Sequence, residues 1–142
     1  MSETQPERLS QTDYEVLANF RYALRQFTAF STRAAQAAGL PPQQHQALLA
    51  IKGHAQAEAM TIGVLAERLL IAPQTATELV NRLAEAGLAE RVADPHDRRR
   101  HALALSAKAE SLLNSMTLVH LRELQQLAPS LVELLQVLNR AD

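Results

Sequence analysis

Residues 13–38 contain neither glycine nor proline, and within them Val16, Leu17, Phe20, Leu24, Phe27, Ala34 and Ala38 are spaced as one apolar helical stripe. Chain breakers are scarce throughout, with four glycines and six prolines in 142 residues, so their positions set the element boundaries. Gly39 ends the first long helix, and Pro41-Pro42 opens a second over 42–52 that turns Ala47, Leu48 and Ile51 inward. Thr61 is placed to cap a third helix running through Leu70, with Ile62, Leu65, Ala66 and Leu69 buried. Pro73 suits the first position of a fourth helix, which buries Ala76, Leu79, Val80 and Leu83, runs to Ala86 and closes at Gly87. Extended runs at 88–92 and 101–105 flank the loop ADPHDRRR. Ser106 is placed to cap a further helix to about Leu127. Pro129 is expected to break it, and a last helix carries Leu131, Leu134, Leu135 and Leu138.

With 47% apolar and 20% charged residues, the chain is long enough for one compact domain over 1–142 and too short for two of ordinary size. No apolar run approaches the roughly 20 residues that cross a bilayer, so no membrane partner is expected. The polar start MSETQPERLSQTD reads as a short flexible tail rather than a secretory signal, and the expected location is the cytoplasm. The absence of cysteine removes disulfides, thiolate metal sites and thiol redox sensing together. A net charge of −1 means that any nucleic-acid contact must come from a local concentration of cations.

The third and fourth helices are joined by a few residues, as in a helix-turn-helix, whose second helix enters the DNA major groove. Removing the inward positions of that second helix leaves Gln74, Thr75, Thr77, Glu78, Asn81 and Arg82 as candidates to meet DNA. Glutamine and asparagine pair with adenine, arginine with guanine, and threonine methyls with thymine methyls. The residues nearest the helix start, Gln74, Thr75, Thr77 and Glu78, lie closest to the bases, while Asn81 and Arg82 reach bases or phosphates. An ordinary solvated helix face accounts for the same residues.

The loop after this pair is more specific. Hairpin loops usually have two to five residues, whereas this one runs from Ala93 to Arg100, begins its turn at Asp94-Pro95 and ends in Arg98-Arg99-Arg100. Adjacent guanidiniums repel one another and build no core, but beside a polyanion each neutralised phosphate releases counterions. An arginine at such a tip can enter a narrow minor groove, and Asp97 stands where it can hold Arg99 by a charge-assisted hydrogen bond. His96 and His101 flank the loop. The competing account is a solvated charge run that keeps a hairpin soluble.

The segment LAERLLIAPQTATELVNRLAEAGLAERVADPHDRRRHALALSAKA resembles the MarR-type (multiple antibiotic resistance) winged helix-turn-helix regulators, most specifically in Asp97-Arg98-Arg99 followed by Leu105-Ser106. The order of the flanking helices extends the likeness over nearly the whole chain. The resemblance implies a mainly α fold: a winged helix-turn-helix lobe at about 42–106, one two-stranded hairpin as wing, and long dimerisation helices at about 13–38 and 107–142. It implies a homodimer whose terminal helices interlock, acting as a repressor on a pseudo-palindromic double-stranded DNA operator. By position, Arg99 corresponds to the family's minor-groove arginine, Asp97 to its anchor and Thr77 to a frequent recognition-helix hydroxyl. Ala109 stands where the family usually has glycine, and the lack of cysteine separates the chain from the peroxide-sensing branch.

All the aromatics lie between Tyr14 and Phe30 in the first helix, on more than one face. Together with the leucine-rich C-terminal segment they supply more apolar surface than one chain can hide, which favours a homodimer over a purely intramolecular core. Within the MarR resemblance, Phe20, Leu24, Phe27, Leu48 and Ile51 are candidates to line a crevice for a small-molecule effector, although each also serves as an ordinary core residue. The five histidines form no HxxxH or HExxH pair, so neither a metal site nor a cofactor is expected, and a metal-responsive regulator is the lesser alternative. No GxGxxG, P-loop or GxSxG motif points to an enzyme. A winged-helix module that binds only protein is the remaining alternative, and the arginine run argues against it.

Overall fold

The computed structural model describes residues 8–55, 57–94, 96–97 and 99–139; Pro95, Arg98 and the first seven residues of the polar start lie outside them. Among the described residues five helices and one hairpin follow in chain order: α1 Gln11–Ala37, α2 Pro42–Lys52, α3 Ile62–Leu69, α4 Pro73–Glu85, β1 Ala89–Ala93, β2 His101–Leu105 and α5 Ala107–Asn139. The helix starts follow from local chemistry. At α1 the Ser10 N–H and hydroxyl donate to the Asp13 carboxylate at 2.8 and 3.0 Å, and the Asp13 N–H donates back to Ser10 Oγ at 3.3 Å. The backbone bond from Ser10, and then its hydroxyl, hold the Asp13 carboxyl below its ordinary pKa. This cap is therefore intact above the ordinary aspartate range and is lost as pH falls through the lowered value. Thr61 Oγ1 accepts from the Val64 N–H at 3.2 Å, and Pro73 stands in the first turn of α4, both as expected.

Three helices end in the same way. The N–H groups of Leu40, Ile71 and Leu88 reach back to the carbonyls of Ala35, Ala66 and Leu83 at 2.9, 3.0 and 2.9 Å. The closure requires a left-handed residue just before each donor, and these are Gly39 (φ 73°), Leu70 (φ 56°) and Gly87 (φ 70°). Glycine adopts this conformation freely, whereas a leucine does so at a cost of about 1–2 kcal/mol. Leu70 is also 90% exposed, so its own side chain offsets none of that cost.

The chain divides into two compact units. The first, Thr32–Val119, has a single apolar core in which Leu48, Leu65, Val80 and Leu83 are fully enclosed. Ile62 and Leu69, expected to be buried, are half-buried at its margin. The hairpin is antiparallel, in register from Ala89 opposite Leu105 to Ala93 opposite His101. Its first strand starts one residue later than the apolar run suggested, because the Leu88 N–H is already used in closing α4. Two strands alone are marginal in water. Here β1 lies on α4 and β2 on α2, and the Leu103 N–H donates to the Met60 carbonyl at 2.7 Å, tying β2 to the chain entering α3. Ser106 joins both ends of the hairpin: its hydroxyl donates to the Gly87 carbonyl at 2.7 Å and accepts the Ala109 N–H at 3.2 Å as the cap of α5. Ala109 is fully buried, and its methyl is part of the core.

The second unit contains the part of α1 up to Ser31 and the part of α5 from His120. His120 is buried there, with its Nε2 2.9 Å from Ser31 Oγ and its ring edge-on to Phe27 and Phe30 at centroid distances of 5.9 and 5.2 Å. Along α1, Ala23 is buried and Val16 and Phe27 half-buried, while Leu17, Phe20 and Leu24 face outward in the single chain. One expectation is corrected: α5 does not break at Pro129 and is continuous from Ala107 to Asn139. An interior proline removes one backbone bond and costs about 3 kcal/mol. The freed carbonyl, that of Gln125, belongs to an exposed turn that is open to water. Both apolar stripes of α5 keep their helical phase across the proline: His120, Leu127, Leu134 and Val137 on the more covered side, and Leu121, Leu124, Leu131, Leu135 and Leu138 on the other. A break would lose that alignment.

Candidate nucleic-acid interface

The interface is built from the α3–α4 pair and the hairpin, all within Thr32–Val119. Four residues of α4, Ala76, Leu79, Val80 and Leu83, are buried in the core, and this fixes the rotation of the helix. Its outer face therefore presents Gln74, Thr75, Glu78, Asn81 and Arg82 to solvent as one polar surface. Thr77 is half-buried, and its hydroxyl donates to the Pro73 carbonyl at 3.1 Å. Its proton is thus spent on the helix, and the hydroxyl can offer other groups only its oxygen lone pairs.

Two aspartates order the wing. Asp94, itself buried, accepts the His96 N–H on Oδ1 at 2.9 Å, and Asp97 accepts the Arg99 N–H on Oδ1 at 2.9 Å. Both are turns in which an aspartate binds the backbone two residues on. Across the loop, the Asp94 N–H donates to the Arg100 carbonyl and the Arg100 N–H to the Asp97 carbonyl, each at 3.1 Å. The expected role of Asp97 is corrected in one respect: it holds the backbone of Arg99 rather than its guanidinium. Among the described residues Asp97 pairs with Arg100, whose Nε is 3.9 Å from Oδ2, with side chains 68% and 46% exposed. At that distance and exposure the pair is weak. Arg99 is exposed and makes no ion pair among the described residues, and Arg98 lies outside them. A cleft of about 550 Å³ separates the start of α3 from the hairpin, bordered by Thr61, Gly63 and Glu67 on one side and Arg91, Arg100 and His101 on the other.

Arg91 was not among the sequence candidates. It projects from β1, and its Nη2 donates to Asn81 Oδ1 on α4 at 2.9 Å. Nothing in the sequence links the two, because they belong to different elements and no periodicity relates them.

The five crevice candidates fall in different places. Leu48 and Ile51 belong to the core of Thr32–Val119, and Ile51 borders a recess of about 300 Å³ beside His54 and Glu110. In the other unit, Phe27 packs on His120, while Phe20 and Leu24 are each 42% exposed, and Leu24 borders a shallow groove of about 420 Å³ with Arg21 and Arg25. Among the described residues no group of three or more histidines or acids is placed to hold a metal ion. No described helix is long and apolar enough to cross a membrane.

Residues 38–100 match the sequence model of the MarR family. No curated protein sequence is matched. Among solved structures, a MarR family protein from Bacillus stearothermophilus superposes with a TM-score of 0.75 at 22% identity, covering 94% of each chain. AbsC, a MarR family transcriptional regulator from Streptomyces coelicolor, gives 0.71 at 18% identity over 95% of this chain and 92% of its own. A complex of S. aureus MepR with DNA gives 0.62 at 21% identity over 86% of this chain and 90% of its own. At these identities the likeness establishes the fold: mainly helical, with one two-stranded wing.

Proposed function

We propose, because residues 38–100 match the sequence model of the MarR family, that this chain is a sequence-specific double-stranded DNA-binding transcriptional regulator and not an enzyme. The observation that carries this reading is electrostatic. A chain of net charge −1 places Arg99 and Arg100 on an exposed loop, next to a helix whose outward residues are amides, a threonine and an arginine beside the carboxylates of Glu78 and Glu85. A folded domain gains nothing from adjacent arginines held in solvent, whereas a phosphate backbone gives them a partner. In this reading α4 lies in the major groove, with Gln74, Thr75, Thr77 and Glu78 nearest the bases and Asn81 and Arg82 one turn further. The wing carries Arg99 and Arg100 toward the minor groove, and Asp97 sets the turn that presents Arg99.

The finer reading is a cytoplasmic homodimer acting as a ligand-responsive repressor on a pseudo-palindromic operator. Its two recognition helices are spaced by about 34–36 Å, one turn of B-DNA. The effector in this reading is a small molecule. The test is a gel shift with DNA flanking the protein's own reading frame, competed by unrelated duplex at physiological salt. Binding at least about a thousandfold tighter to one flanking fragment is the expected result. Equal affinity for every duplex, or no shift, would remove the sequence-specific reading.

A further inference from the structure

The bond between Arg91 and Asn81 bears on which base the recognition helix reads. Arg91 Nη2 donates to Asn81 Oδ1 at 2.9 Å, from β1 to the exposed face of α4. A guanidinium has donors only. The amide atom facing it must therefore be the oxygen, and Asn81 Nδ2 is turned the other way. An asparagine that reads adenine uses both atoms: Nδ2 donates to N7 while Oδ1 accepts from the N6 amino group. Here one of the two acceptor positions of Oδ1 is taken by Arg91, and the cation beside the other opposes the approach of a second amino group. Guanine presents two acceptors, N7 and O6, on the same edge. That edge suits an amide tip that only donates and is flanked by positive charge.

Resting on the DNA-binding reading above, we propose that Arg91 is a positioning residue that fixes the Asn81 amide as a donor, so that the pair selects guanine over adenine at one base of the site. Arg91 is exposed, and changing it removes no core contact. It acts through Asn81, so its loss alters a preference and not only an affinity.

The test is selection from a pool of randomised duplexes by the full chain as wild type, Asn81→Ala, Arg91→Ala and Arg91→Lys, with the bound duplexes sequenced. The position at which Asn81→Ala loses its preference identifies the base that Asn81 faces. The wild type is expected to enrich guanine over adenine there by about tenfold, the scale of a good direct contact. Arg91→Ala is expected to bring adenine at least to parity at that position and to leave the other positions unchanged. Arg91→Lys, which still donates to Oδ1, is expected to keep the guanine preference. A uniform loss of affinity with unchanged preferences would make Arg91 a phosphate contact and overturn the proposal. Wild-type enrichment of adenine at that position, or no position that responds to Asn81→Ala, would overturn it as well. If the wild type enriches no duplex at all, the DNA-binding reading fails first and takes this assignment with it.

Discussion

Replacing Arg99 with alanine is expected to lower affinity for the operator by about tenfold to a hundredfold, the range of one well-placed arginine contact, while thermal unfolding stays at the wild-type temperature. The two halves of this result have separate causes. Arg99 is exposed and makes no ion pair among the described residues, so its side chain supports nothing in the free protein. Its backbone N–H is what the fold uses, bonded to Asp97 Oδ1 at 2.9 Å, and alanine retains that N–H. The wing should therefore keep its shape and lose only the group that enters the groove. Asp97→Ala is the contrasting case: it leaves the guanidinium in place but removes the acceptor that orders the loop. Fluorescence anisotropy with a labelled operator, paired with a melting curve, reads both quantities. Unchanged affinity for Arg99→Ala would show that the wing takes no part in binding.

The second large effect concerns assembly. Sedimentation of the full chain at micromolar concentration is expected to give the mass of a dimer, and the double substitution Leu135→Asp with Leu138→Asp to give that of a monomer. In the single chain, Leu135 and Leu138 are 59% and 58% exposed and continue a stripe with Leu121, Leu124 and Leu131 along α5. Leu17, Phe20 and Leu24 on α1 are exposed too. A contiguous apolar face of this kind marks an interaction surface, because water is a poor partner for it. Two carboxylates placed in such an interface would be desolvated without partners, which is enough to separate most dimers. A wild-type monomer at that concentration would contradict the dimer, and with it the paired recognition helices of the operator reading.

Much of the fold was legible because breakers are few and well placed. Gly39, Pro42, Pro73 and Gly87 stand at helix ends in the sequence and in the structure. The inward set of α4 was legible as well, since Ala76, Leu79, Val80 and Leu83 keep a strict helical period, and identifying them left the outer face by subtraction. The misreadings have physical reasons. Pro129 looked like a stop because proline is costly inside a helix, but α5 runs through it, with half-buried Leu127 before it and buried Leu134 after it in one helical phase. Leu70 gave no warning of a left-handed conformation, since that is imposed by the closure of α3 and not by the residue's own preference. The covered and uncovered sides of α1 were indistinguishable, because both carry apolar residues. At the candidate site, the wing arginines were visible as a run, but the target of Asp97 was not. A carboxylate near an arginine in sequence can bind its side chain or its backbone, and only loop geometry decides. The Arg91–Asn81 bond had no sequence signal at all, since it depends on how the hairpin packs on α4.

The central claim is that an almost neutral chain gathers its cations where a phosphate backbone can reach them. Measuring duplex affinity of the wild type as salt rises from 50 to 200 mM tests it most directly. Each neutralised phosphate adds about −0.9 to the slope of log K against log salt, so a dimer engaging six or more is expected to lose about a thousandfold over that range. Affinity that stays flat with salt would contradict the claim.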